Sequence, residues 1–227
     1  TKQTRNFRQV DERKKRNHMW LAFYNPGGVG DVLLLTSGPV SSHEIDPDSK
    51  GQVTALRHHQ SQAIVGYNLF GVADLNLTGE GPVTLTSEQV AQVNDRIQAA
   101  GFDQAVSFDA SPRLVVGYVE ECVDHPDSDH LHITQTRVAA DTVLQIVCGA
   151  ANIEAGQKVL VAQPGAVMPD GLIIWPGQLR GVDSNGMICS TRELGLDAIE
   201  NKPGIWVLKD DLAVGTPLEQ VIAHYQG

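Results

Sequence analysis

Apolar positions along the chain gather in short runs rather than in one long periodic stretch. Beyond a leader with almost no apolar content (TKQTRNFRQVDERKKRNH), WLAFYN, the turn-forming NPGGVGD and VLLLTSG predict strand, turn and strand. SSHEIDPDSKG is polar throughout and reads as a loop, and AIVGYNLFGVADL is a β-rich run whose glycines predict a bulge. TGEGP reads as a turn. One segment has helical spacing: Val90, Val93, Ile97 and Ala100 fall on one face at intervals of 3, 4 and 3. Thr86 and Gln89 form a T-x-x-Q capping box before it, and Gly101 supplies the stop. Residues 19–105 therefore predict an α+β N-terminal domain.

Around Ser107–Pro112 the texture changes. RLVVGYVEECV, LHITQTRV, TVLQIVCGA and AGQKVLVAQPG read as strands separated by Gly/Pro/Asp turns, with HPDSDH as one such turn. Short strands at this spacing predict a five-stranded Greek-key barrel over 106–227 rather than βαβ units. PLEQVIAHY adds a short helix with Pro217 at its first turn, one of the short helical additions to the all-β domain.

Composition narrows the classes. At 227 residues, one or two domains can each bury a core. No run of eighteen apolar residues occurs, so no membrane-spanning helix and no membrane partner is expected. The formal charge is −10, but residues 1–18 hold seven basic and two acidic side chains, a balance of +5, leaving −15 for residues 19–227. An acidic body argues against a broad polyanion-binding surface and against DNA. The basic leader is too polar to order itself and reads as upstream or added sequence, with translation expected from Met19; a basic arm for nucleic acid is the other reading. Cys122, Cys148 and Cys189 lie far apart with no C-x-x-C pair, which excludes a zinc knuckle or disulfide framework and points to a reducing, cytoplasmic compartment.

Candidate chemistry is sparse. PGGVGD lacks the Lys-Ser/Thr and the following helix of a phosphate loop, and a strand-to-strand turn accounts for it. DHPDSDHLH brings His125, His130 and His132 beside three aspartates; a turn built on Pro126 explains the composition, while a metal-dependent hydrolase using the three histidines is the weaker alternative. Cys189-Ser190 has neither a placed base nor a nucleophile elbow. LRGVDSNGMICSTRELGL, residues 179–196, is a non-periodic loop flanked by Arg180 and Arg192. Two readings of it stand level: a barrel corner with Met187 packed inside, or exposed amides, hydroxyls and Arg for phosphate and ribose.

HPDSDHL, QIVCGAANIEAGQKVLVAQPGAVMPDG and LRGVDSNGMICSTRELGL, in that order, resemble the EMAP II-type tRNA-binding domain found in the N-terminal region of the phenylalanyl-tRNA synthetase β chain. The resemblance spans roughly residues 109–215, and FYNPGGVGDVLL resembles the partner domain of the YtpR family. It implies an OB fold that grips structured tRNA by shape and backbone contacts, with no catalysis and no cofactor. Carried over by motif, the contact candidates are Asn152 in GAAN, Arg180 in LRG, Ser184 and Met187 in SNGM, and Ser190 in ICS. His130 stands where the family motif carries Lys or Arg, so one phosphate contact is expected to be lost or to depend on pH. The implied partners are tRNA, and an aminoacyl-tRNA synthetase or a second copy of the chain. The −8 balance of residues 111–227 supports a rival reading, a protein-docking module on a synthetase or another translation factor.

Overall fold

The computed structural model describes residues 19–227; the leader of residues 1–18, read above as an added or nucleic-acid-binding arm, lies outside the described residues. The protein is mostly β with few helices, and its chain divides into two units at Asp109/Ala110.

In the first unit, β1 (Leu21–Tyr24), β2 (Val32–Thr36), β3 (Ile45–Lys50), β4 (Val53–His58), β5 (Ile64–Phe70) and β6 (Gly81–Pro82) form an antiparallel sheet in the order β3-β4-β5-β2-β1-β6. A single turn, α1 (Pro26–Val29), joins β1 to β2 where the glycine-rich turn was expected. The polar SSHEIDPDSKG stretch is not a loop: its second half is β3, paired residue by residue with β4. Proline and charges are tolerated there because β3 is the outer strand, where they also discourage pairing with another chain. The predicted bulge lies in β5, where Val65 is the extra residue between the pairs Arg57–Ile64 and Leu56–Gly66. Helix α2 (Ser87–Ala99) begins with the expected capping box: Gln89 N–H donates to Thr86 Oγ1 at 3.2 Å and Thr86 N–H to Gln89 Oε1 at 2.8 Å. Gly101, in the left-handed region, ends it with its N–H on the Gln98 carbonyl. Val93 and Ile97 of α2 enter one core with Trp20, Leu33, Leu35, Tyr67 and Leu69.

The second unit is built on a curled half-barrel sheet in the order β13-β10-β7-β8-β9, consistent with an OB-like barrel. Its strands are β7 (Leu114–Asp124), β8 (His132–Ala139), β9 (Thr142–Cys148), β10 (Lys158–Ala162) and β13 (Met187–Ile188). β11 (Gly177–Leu179) and β12 (Val182–Ser184) form a separate hairpin, and β14 (Val207–Leu208) pairs with β10. Gly117 in β7 leaves room for Val161 of β10 and Thr136 of β8: a Cβ there would stand 2.6 Å from Val161 and 2.9 Å from Thr136. β10 is buried on both faces. Val159 and Val161 point into one core with Val119, Ile146 and Ile188, whereas Leu160 and Ala162 point into another with Trp206, Leu208 and Val221. Val221 belongs to α3 (Leu218–Gln226), the expected C-terminal helix; Pro217 sits at its N-cap.

Candidate nucleic-acid interface

The run 179–196 that carries no periodicity is in fact a hairpin tip, a returning strand and a tight turn. Arg180 and Gly181 form the two-residue tip between β11 and β12, both with positive φ (45° and 81°), as a type I′ connection requires. An Arg in this region is uncommon, since Asn, Asp or Gly fit it with less strain. The Arg180 guanidinium donates to the Asp127 carbonyl at 2.9 Å, so the tip docks on the 125–130 turn. His130 is exposed on that same turn, with its Nδ1 2.9 Å from Asp129 Oδ1. That hydrogen bond, aided by backbone donors and the positive charges of His130 and Arg180, holds the Asp129 carboxyl below the usual carboxylate range.

Ser184 leads away from the surface. It is buried, its Oγ accepts from Val147 N–H at 3.1 Å and donates to the Gly186 carbonyl at 3.4 Å, so it stitches the hairpin to β9. Met187 is half-buried beside β10, partly against the core and partly against a groove. The packing reading of this residue therefore holds in part, and part of its side chain faces the groove. Ser190 opens an S-x-x-E turn in which its N–H and Oγ–H donate to Glu193 Oε2 at 2.7 and 2.8 Å, while Glu193 N–H returns a bond to Ser190 Oγ at 3.2 Å. The turn leaves Arg192 exposed, its carbonyl accepting from Gly195 N–H at 3.1 Å and its guanidinium making no hydrogen bond or ion pair among the described residues.

Asn152 acts as a clasp. Its Nδ2 donates to the Ile205 carbonyl at 3.0 Å, and its Oδ1 accepts from Ile205 N–H at 2.9 Å. The strand-like pairing brings the chain so near that a Cβ on Gly204 would lie 2.1 Å from Asn152 Oδ1. With both ends of its amide engaged, Asn152 shapes the site from beneath, and the 202–205 segment forms a wall of it. Lys202 stands on that wall, paired with Glu200, and this hydrogen bond and charge push its ammonium pKa up.

Between the two lies a groove of about 430 Å³, with Cys148, Met187 and Ile205 among its apolar lining and Ser190, Arg192 and Lys202 among its polar lining. Of the six sequence candidates, Met187 and Ser190 line the groove and Asn152 clasps its wall. Arg180 and His130 gather instead on the 125–130 turn, and Ser184 is interior. Lys202 went unselected because it lies fifty residues from Asn152 in sequence and reaches the groove only through the clasp.

The three histidines of DHPDSDHLH do not converge. His125 is buried, with Nδ1 accepting from Asp127 N–H at 3.0 Å and Nε2 3.3 Å from the Leu179 carbonyl. His130 faces Asp129, and His132 Nε2 is 3.5 Å from Asp124. Among the described residues no group of three or more His, Cys, Asp or Glu could hold a metal ion, so the arrangement lends nothing to a metal-dependent hydrolase. Burial pushes the Cys189 thiol up to about 12, which removes it as a nucleophile near neutrality.

Residues 114–217 match the family described as "Putative tRNA binding domain", and residues 41–109 match a "Domain of unknown function (DUF4479)". The second unit is thus of the tRNA-binding-domain class. The chain is 42% identical over 195 residues to "Putative tRNA-binding protein YtpR" of Bacillus subtilis (strain 168), covering 86% of this chain and 96% of that protein. It belongs to the YtpR family. It is also 51% identical over 113 residues to the phenylalanine–tRNA ligase beta subunit of Oceanobacillus iheyensis, a match covering 47% of this chain and 14% of that subunit. Among solved structures, the C-terminal domain of Plasmodium vivax p43 aligns with a TM-score of 0.33 at 26% identity, over 46% of this chain and 58% of that one.

Proposed function

We propose that the protein is a non-catalytic, cytoplasmic tRNA-binding protein that recognises structured tRNA by shape and backbone contacts, through the rim of an OB-fold domain spanning 106–227. In this reading residues 19–105 form an α+β domain, and no cofactor takes part. The observation that carries it is the groove in which Arg192 and Lys202 face a floor of Met187, Cys148 and Ile205, with Ser190 at hand. Guanidinium and ammonium supply phosphate contacts, the hydroxyl reaches sugar, and the apolar floor accepts the flat face of a base. Asn152 positions the Lys202 wall rather than touching RNA, and Arg180 with His130 offers a second, smaller contact on the neighbouring turn. Acidic charges elsewhere are screened beyond about 8–10 Å at cellular salt, so a small basic edge can act on an acidic body.

Few phosphate contacts give a specific expectation: binding at about micromolar Kd or weaker, with a salt slope of about −2 to −3. A titration of the full chain and of a chain starting at Met19 with bulk tRNA and with a DNA duplex, over a salt series, tests it. Tighter binding to tRNA than to duplex, with that shallow slope for the Met19 chain, is the result expected. Equal binding to both, or a steep slope, contradicts the proposal.

A second reading has one observation behind it. Arg137 pairs with Glu120, Lys158 donates to the Leu212 carbonyl, and Arg180 and Lys202 are also engaged within the protein, which suits a module docking a synthetase or a second copy. Co-purification of a synthetase through the second unit, with no tRNA affinity, would favour it.

A further inference from the structure

The 125–130 turn holds a buried polar group that neither the groove nor a metal accounts for. His125 is 3% exposed. Its Nδ1 accepts the Asp127 N–H at 3.0 Å, which leaves Nε2 to carry the ring N–H. That proton points at the Leu179 carbonyl, 3.3 Å away, and this carbonyl belongs to the peptide that carries the Arg180 nitrogen. Asp127 is therefore held twice, its N–H by the imidazole and its C=O by the Arg180 guanidinium at 2.9 Å. Arg180 itself is kept at φ 45°, a conformation a long side chain adopts only when its surroundings impose it. An isolated two-stranded hairpin is marginal by itself, so the hairpin 177–184 needs such anchors.

We infer that His125 is a positioning residue for tRNA contact: by bridging the Asp127 amide to the Leu179–Arg180 peptide it holds the hairpin tip against the turn and presents Arg180 to RNA. This rests on the tRNA-binding reading above and adds to it a group that never touches RNA. The arrangement makes His125 and Arg180 one unit, so their effects on affinity must not multiply.

The test is a double-mutant cycle on the full chain with bulk tRNA: wild type, His125→Ala, Arg180→Ala and the double variant. Each single change is expected to weaken binding about three- to ten-fold, and the double variant no more than the worse single one. Losses that multiply, or a His125→Ala chain that binds like wild type, overturn the inference. Amide hydrogen exchange reads the placement without RNA: in His125→Ala, amides of residues 178–183 are expected to exchange at least about ten-fold faster while β7 and β8 stay protected. Unchanged exchange in the hairpin overturns it. His125→Gln, which keeps a donor at similar reach, is expected to retain protection and affinity, and His125→Leu, which removes both ring nitrogens at similar bulk, carries the cycle should the alanine variant fail to fold. A wild-type chain without tRNA affinity overturns the functional reading and this role together, while the exchange data still decide whether His125 anchors the hairpin.

Discussion

Strand β2 of the first sheet and strand β10 of the second bury their side chains differently. In the first unit, Leu33 and Leu35 of β2 are fully buried beneath α2, while Leu34 between them is only half-buried on the other face. In the second unit, Val159, Leu160, Val161 and Ala162 of β10 are all buried, alternately into the barrel and into the layer formed with Trp206 and α3. A strand covered on both faces, as β10 is, has no face left to present, and the hairpin, the S-x-x-E turn and the 202–205 wall lie beside it. The cations follow the same division. Lys50 sits on the Gly101 carbonyl, Arg57 on Asp48 and Arg96 on Gly71, so in the first unit each serves its own fold. In the second, Arg192 stands unpaired among the described residues at the mouth of the groove.

The sharpest way to break this comparison is alanine at neighbouring positions of each sheet. Leu160→Ala and Val161→Ala are both expected to destabilise the second unit, by about 3 and about 2 kcal/mol, because each opens a cavity in a different core. In the first unit Leu33→Ala costs a similar amount, whereas Leu34→Ala costs about 1 kcal/mol or less. Unfolding followed separately in each unit by hydrogen exchange measures this. A large loss at Leu34 would mean that its face is covered after all.

Next in size is the clasp. Asn152→Ala leaves the Ile205 N–H and C=O without their partners and is expected to cost about 1–3 kcal/mol. It should weaken tRNA binding as well, because the Lys202 wall loses its anchor. Thr86→Ala at the cap of α2 costs about 1 kcal/mol and leaves tRNA affinity as in wild type, which a thermal melt and a binding assay on one preparation would record. The smallest effect belongs to charge: Arg180→Ala is expected to weaken all tRNAs about equally and to make the salt slope shallower by about one, since a guanidinium on the backbone carries no sequence information. Loss confined to one tRNA would contradict a backbone contact.

Strands with a strong apolar pattern and the capped helix were legible in sequence because local rules govern them. T-x-x-Q closes on itself within four residues, and β7 to β10 each show a run long enough to read. The SSHEIDPDSKG segment misled because an edge strand is permitted the proline and charges that mark loops elsewhere. β4 was missed for lack of a clear alternation around Arg57 and the histidines. The β11–β12 hairpin hid because Arg180 occupies a tip position where Asn or Gly would have announced it. The motif resemblance picks out residues of this region but not the partners each one has within the fold. That Ser184 bonds Val147 and that Asn152 clasps Ile205 depends on partners 37 and 53 residues away, beyond the reach of local sequence rules.

The central claim, that the groove of the second unit carries tRNA binding, is tested most directly by replacing both of its cations. The Arg192→Ala/Lys202→Ala chain, titrated with bulk tRNA beside wild type at several salt concentrations, is predicted to fold as before. Its affinity should fall by about ten-fold or more at low salt, with a slope reduced by about two. A double variant that keeps wild-type affinity and slope would contradict the account.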